Sequence, residues 1–217
     1  MGRVKGVIFD MDNTLLASRI DYAAMKADTH RYLAALGVLP DEMDLAAHTT
    51  GTLIAEAMAT GRMRDAWIRG MWDVVTAHEV AGMRDARLEP GVAELLETLC
   101  GAVRLAVVTN NARAAAEEAL GRVGILHRFD CLIAREQMAA VKPAPDGFLA
   151  VLGRYPHIAA TEWLAVGDSW IDGAAARAAG IRFAAYRSDP DVLERHGVVP
   201  DAVLTDIREL ADVLRIA

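Results

Sequence analysis

Side chains that can carry out polar chemistry are concentrated in four short segments of this 217-residue sequence. The segments are DMDNT (10–14), VVTNN (107–111), VKP (141–143) and GDSWID (167–172). Clustered carboxylates repel one another, and a hard divalent cation such as Mg²⁺ offsets that repulsion. One carboxylate can then attack phosphorus, a second can transfer protons, and a hydroxyl and an ammonium can hold phosphoryl oxygens. The residue types therefore indicate phosphoryl chemistry supported by Mg²⁺.

The elements that must position these segments are strands that alternate with helices. Apolar runs predict strands at residues 4–9, 104–108, 131–134, 163–166, 182–186 and 202–204. Such alternation indicates right-handed βαβ units, so the predicted fold class is α/β, with a Rossmann-like parallel sheet flanked by helices. Ligands of such sheets bind outside the carboxyl ends of the strands. Because three of the four segments follow strands, we expect their polar residues to meet at that edge.

A different pattern occupies the long stretch after the first segment, which is rich in Ala, Met, Leu, Glu and Arg at helical spacing. Breaks in this helical pattern are predicted at residues 37–40 and 49–52. We therefore predict a core domain made of residues 1–16 and 89–217, and an inserted all-helical domain made of residues 17–88.

The order and spacing of the four segments resemble the haloacid dehalogenase superfamily, in particular its phosphatase branch, over nearly the whole chain. The resemblance implies that Asp10 is the nucleophile and a metal ligand. It implies that Asp12 is the general acid and base, and that it binds the metal through its backbone carbonyl. Asn13 stands where the family more often has Gly, and Asn tolerates the positive φ that such a turn needs.

The remaining segments take their roles from the same resemblance. Thr109 would bind the phosphoryl group through its hydroxyl, and Asn110 follows it as a second phosphate-binding residue. Lys142 would neutralise the nucleophile and the phosphate. Asp168 would bind the metal directly, and Asp172 would support the site by holding a metal-bound water or the lysine. The helical insert would be the family's cap domain.

Simpler structural roles stay open for several of these residues. Thr109 could cap the following helix, and Lys142 could be an exposed loop lysine. Asp168 and Asp172 could cap a helix or face solvent. Trp170 could line the site or serve only in packing.

The resemblance favours hydrolysis of a small-molecule phosphate monoester through an aspartyl-phosphate intermediate, as in phosphoglycolate phosphatases. A phosphosugar mutase of the β-phosphoglucomutase type has the same core residues and is the main alternative. A haloacid dehalogenase is less favoured, because those enzymes lack a second carboxylate like Asp12. A non-catalytic binding protein is also less favoured, because every catalytic residue type is present.

Composition limits the partners and the cellular location. The net charge of −7 disfavours nucleic acid, and no apolar stretch approaches the length of a membrane span. Cys100 and Cys131 lie beside apolar residues and are interpreted as buried, reduced thiols. We therefore expect a cytoplasmic monomer or homodimer that acts on a small phosphorylated metabolite.

Overall fold

The computed structural model of the protein describes residues 4–215, which divide into two compact units. One unit, here called the core unit, contains the chain up to Ser18 and from Ala86 onward. The other, here called the helical unit, contains Arg19–Asp85.

Strands and helices alternate through most of the core unit. In chain order the strands are β1 (Gly6–Phe9), β2 (Leu16–Ala17), β3 (Arg87–Leu88), β4 (Arg104–Val108), β5 (Cys131–Ile133), β6 (Trp163–Gly167), β7 (Arg182–Tyr186) and β8 (Ala202–Leu204). The helices of both units are α1 (Tyr22–Ala35), α2 (Thr50–Ala59), α3 (Asp65–Met83), α4 (Val92–Leu99), α5 (Arg113–Arg122), α6 (Asp146–Arg154), α7 (Trp170–Ala178), α8 (Pro190–Arg195) and α9 (Glu209–Leu214). The first three belong to the helical unit.

Within the described residues, six strands form one parallel sheet in the order β5-β4-β1-β6-β7-β8. The first strand lies inside the sheet, where Ile8 pairs with Ala106 on one side and with Ala165 on the other. All four residues of β1 are buried, which explains why its sequence is a continuous apolar run rather than an alternating one. This sheet confirms the predicted α/β fold class.

Two short strands of the core unit flank the chain segment that forms the helical unit. β2 and β3 pair antiparallel, with Leu16 opposite Leu88 and Ala17 opposite Arg87. Sequence patterns did not predict either strand, because a two-residue strand is too short to show a periodicity.

The helical unit contains only helices and turns among its described residues, and α1 contacts both α2 and α3. Basic side chains hold its loops. The Lys26 ammonium donates to the carbonyls of Leu45 and His48. The Arg62 guanidinium likewise donates to two backbone carbonyls, those of Gly37 (2.9 Å) and Val38 (2.7 Å).

None of the helices in the described part of the chain has the length and apolar character needed to cross a bilayer.

Two local predictions were wrong, and one helix was missed. The predicted break at 49–52 is a helix start, because the side chain of Thr49 accepts a hydrogen bond from the amide of Thr52 and caps α2. Helix α8 was not predicted, although Asp189 caps it and a proline opens it. Cys131 is buried as expected, whereas Cys100 is exposed, because it terminates α4 at the surface.

Candidate active site

The carboxyl edge of the sheet brings three of the four polar segments together. Asp10 follows β1 directly, and its amide donates to Val166 of β6 over 2.8 Å. Thr109 follows β4, and its amide donates to Ile133 of β5 over 3.0 Å. Asp168 follows β6. Because β1 lies between β4 and β6, strand order alone places these segments side by side.

The segment after β1 is a tight turn. The amides of Leu15 and Leu16 both donate to the Met11 carbonyl over 2.9 Å. Asn13 has a φ of 59°, the left-handed conformation that its residue type was expected to tolerate. Asp12 is 7% exposed, so the turn holds this second carboxyl group within the protein rather than in solvent.

Lys142 is the centre of the charged cluster. Its ammonium lies 2.5 Å from Asp10 Oδ1 and 2.6 Å from Asp172 Oδ1, and it donates to the Val108 carbonyl over 3.0 Å. These three bonds account for all three N–H groups of the ammonium, so a bound phosphoryl oxygen would replace one of these acceptors. Lys142 is 2% exposed, so the interpretation of this residue as an exposed loop lysine is wrong.

Two aspartates at the start of α7 complete the acidic group. Asp172 is 2% exposed, and its Oδ2 accepts a hydrogen bond of 3.1 Å from the Ser169 amide. Asp172 therefore caps α7 with one oxygen while it binds Lys142 with the other. Carboxylate oxygens of Asp10, Asp168 and Asp172 lie within 4.8 Å of one another. Convergent carboxylate oxygens suit a hard cation such as Mg²⁺, so the residues present fit this metal.

Burial of so many charges changes their proton affinities. Burial is the main reason that the pKa of Asp10 rises from 3.8 to about 7, although the Lys142 ammonium opposes the rise. Burial, followed by the charges of Asp10 and Asp172, raises the pKa of Asp168 to about 8. Burial acts to lower the pKa of Lys142, yet its two carboxylate partners hold it above the ordinary value. The site therefore keeps its ammonium charged and lacks positive charge for its acids, which a divalent cation would supply.

The two residues after β4 are held differently from each other. Thr109 is 1% exposed, and its hydroxyl accepts a hydrogen bond of 3.2 Å from the Asn111 amide. The Asn110 side chain binds the backbone of Lys142, with Nδ2 donating to the carbonyl at 3.0 Å and Oδ1 accepting from the amide at 2.9 Å. Ala112 is the N-cap residue of helix α5, so the interpretation of Thr109 as the cap of this helix is wrong.

Sequence reasoning missed a buried arginine at this edge. Arg135 follows β5, is 6% exposed, and donates from Nη1 to the Asn110 carbonyl over 3.2 Å. No feature of the surrounding sequence distinguishes this arginine, because only the strand order brings the end of β5 next to the end of β4.

Trp170 was considered as a residue lining the site, and its ring stacks on His196 with a centroid distance of 3.8 Å.

Gly167 allows the close approach of Asp172, and a Cβ at this glycine would lie 2.5 Å from that carboxylate. We expect Gly167→Ala to lower the free energy of unfolding by about 1–3 kcal/mol, the usual scale for overpacking a buried position. Urea unfolding measures this change. Gly153→Ala is the matched control, since nothing lies within 4 Å of its added methyl group, and it should be neutral or slightly stabilising. Equal stability of both variants would contradict the steric argument.

Comparisons with known proteins agree with this architecture. A sequence profile of the haloacid dehalogenase-like hydrolases matches residues 7–186. A phosphoglycolate phosphatase from Cereibacter sphaeroides is 30% identical over 224 residues, covering 97% of each chain. A phosphoglycolate phosphatase from Nitrosospira multiformis is 32% identical over 189 residues, covering 82% of this chain and 80% of the relative. The solved structure of the HAD-hydrolase YfnB from Bacillus subtilis, bound to magnesium, has a TM-score of 0.65 at 22% identity, covering 99% of this chain and all of the other (100%).

Proposed function

We propose that this chain, which belongs to the haloacid dehalogenase-like hydrolase family, hydrolyses a small-molecule phosphate monoester with the help of Mg²⁺. The observation that carries the proposal is the position of the Lys142 ammonium, 2.5 Å from Asp10 and 2.6 Å from Asp172. A buried cation between two carboxylates, beside a third that can share a metal ion, is an arrangement suited to holding a dianionic phosphate against a nucleophile.

The proposed reaction starts with attack of an Asp10 carboxylate oxygen on phosphorus. The bond from phosphorus to the leaving oxygen breaks, Asp12 protonates that oxygen as it leaves, and Asp10 becomes an aspartyl phosphate. Asp12 then removes a proton from water, which attacks the aspartyl phosphate and releases inorganic phosphate. The Thr109 hydroxyl and the Lys142 ammonium would hold the phosphoryl oxygens through both steps.

The metal would be held by the carboxylates of Asp10 and Asp168 and by the backbone carbonyl of Asp12. Asp172 lies within reach as a support. When bound, Mg²⁺ would withdraw electron density from the phosphoryl group and balance the charge of the acidic cluster. The Bacillus subtilis HAD-hydrolase YfnB, which has a similar fold, was solved bound to magnesium, and this supports the choice of metal.

We propose that the helical unit, which lies within the predicted insert of residues 17–88, is a cap that restricts the site to small substrates. Both connections to the helical unit pass through the β2–β3 pair, and β2 directly follows the turn that contains Asp12. A cap that closes would exclude water and large substrates. The two relatives named as phosphoglycolate phosphatases make 2-phosphoglycolate the first substrate to test. Phosphate release from folded phosphoproteins at the same rate as from metabolites would contradict the cap.

The deciding experiment is a screen of phosphorylated metabolites, read as release of inorganic phosphate with Mg²⁺ and with a chelator. We expect release from small monoesters with Mg²⁺ and a large loss of release with the chelator. Conversion of a hexose phosphate to its isomer, without net phosphate release, would instead identify a mutase. The absence of phosphate release from all monoesters, including a generic aryl phosphate, together with the absence of hexose phosphate isomerisation, would contradict both.

Replacing Asp12 by Asn tests the proton-transfer step. The amide keeps the size of the side chain but cannot donate and accept a proton in turn, so kcat should fall at least about a hundredfold. Steady-state kinetics on an alkyl phosphate measure this loss. Because an aryl leaving group needs less protonation, the loss in kcat/KM, which reports formation of the aspartyl phosphate, should be smaller on an aryl phosphate. A wild-type kcat on the alkyl substrate would remove Asp12 from this role.

A further inference from the structure

The side chain of Asn110 makes two hydrogen bonds to the backbone of Lys142, across 32 residues of sequence. We propose that Asn110 is a positioning residue that sets where the Lys142 ammonium lies, and that its amide is not a phosphate ligand. This inference rests on the proposed function, in which Lys142 holds the phosphoryl oxygens.

The two bonds fix the backbone of the lysine in a defined orientation. Oδ1 accepts from the Lys142 amide at 2.9 Å while Nδ2 donates to the Lys142 carbonyl at 3.0 Å. A planar amide that uses its oxygen and its nitrogen on one residue has its plane set by that residue. The Lys142 backbone therefore sets the orientation of the Asn110 side-chain amide relative to a bound phosphate.

The far end of the lysine is held by the same strand. The carbonyl of Val108, two residues before Asn110, accepts from the Lys142 ammonium over 3.0 Å. Residues at and just after the end of β4 thus bind both ends of Lys142. Asn110 binds its backbone, and Val108 binds its ammonium. A lysine side chain has about 2 kcal/mol of rotamer entropy, so a fixed backbone reduces the freedom that the ammonium contacts must remove.

Asn110 is itself anchored from the neighbouring strand. Its carbonyl accepts a hydrogen bond of 3.2 Å from Nη1 of Arg135, which is 6% exposed. A chain of contacts therefore runs from the end of β5 through Asn110 to the lysine. The ammonium ends 2.5 Å from the proposed nucleophile, Asp10, so under the proposal this support helps to set a contact of the reacting group.

Kinetics of Asn110→Ala separate positioning from phosphate binding. Because a group displaced by about 1 Å can lose about a hundredfold in rate, we expect kcat to fall by about 10- to 100-fold while KM changes by less than about threefold. Inhibition by inorganic phosphate should change as little as KM. A rise of more than about tenfold in KM and in the phosphate inhibition constant, with kcat intact, would overturn the proposal in favour of direct binding.

Asp201→Ala is the matched control for loss of a side-chain-to-backbone bond. Asp201 accepts a hydrogen bond of 2.9 Å from the Phe183 amide at the opposite, amino-terminal edge of the sheet. This variant should unfold at a lower urea concentration but retain the wild-type kcat. If Asp201→Ala loses as much kcat as Asn110→Ala does, the effect is one of general stability and the positioning role is refuted.

Amide hydrogen exchange at Lys142 gives a readout that needs no catalysis. Asn110→Ala removes the acceptor of that amide, so its exchange should speed up at least about tenfold. Asn110→Asp keeps an acceptor oxygen, so exchange should stay within about threefold of the wild-type rate. Unchanged exchange in Asn110→Ala would refute the contact itself. Altered exchange in a protein that hydrolyses no phosphate ester would refute the proposed function and leave the contact standing.

Discussion

Asp10→Asn is expected to abolish turnover, lowering kcat by at least about ten-thousandfold, while the fold is retained. The amide has the size of the carboxylate but is a poor nucleophile, so no aspartyl phosphate can form. Loss of the negative charge removes the cost of burying it, which is the main reason that the pKa of Asp10 is raised, and also the repulsion from Asp172 and Asp12. These gains offset the loss of the ion pair with Lys142. The metal-free variant should therefore be at least as stable as the wild type toward urea.

The measurement pairs steady-state kinetics with mass spectrometry of acid-quenched reactions. The wild type should show the added mass of one phosphoryl group on the peptide that contains Asp10, and the variant should not. Asp41→Asn, at an exposed position of the helical unit, is the control and should behave as the wild type in both assays. A phosphorylated peptide in Asp10→Asn would place the nucleophile on another residue.

Lys142→Met is expected to be the most destabilising of these substitutions in the metal-free protein. It leaves the carboxylates of Asp10 and Asp172 buried without their shared cation. Removing one partner of a buried ion pair usually costs about 3–5 kcal/mol, because the remaining charge is uncompensated. Turnover should also fall by at least about a hundredfold, since the phosphoryl oxygens lose a charged donor. Urea unfolding without metal and steady-state kinetics with Mg²⁺ measure the two effects.

Lys5→Met is the matched control for this substitution. Lys5 also forms an ion pair, 2.7 Å from Glu162, but its side chain is 52% exposed against 2% for Lys142. Exposed pairs contribute about 0–1 kcal/mol, so this variant should remain near the wild type in stability and activity. Adding Asp172→Asn to Lys142→Met should recover part of the lost stability, because one uncompensated charge is removed. Similar stabilities for Lys142→Met and Lys5→Met would show that the buried cluster is not held by the lysine.

The sequence by itself determined the strands of the sheet and the edge at which the candidate site lies. Strands such as β4 and β7 were predicted with the bounds that the structure gives, because buried parallel strands are continuous apolar runs. Asp10 and Asp168 stand directly after such runs, so their place at the carboxyl edge follows from the direction of the chain. Asn13 was expected to have a positive φ, and it does.

Only the tertiary structure decided which side chains meet. Lys142 lies 132 residues from Asp10 in sequence, in a loop whose composition also suits an exposed lysine. The order of the strands, rather than any local pattern, brings that loop over the end of β4, where Asn110 binds its backbone. A local sequence pattern reports which residues prefer to be buried, but hydrogen bonds and ion pairs depend on distances that arise when separate segments pack together.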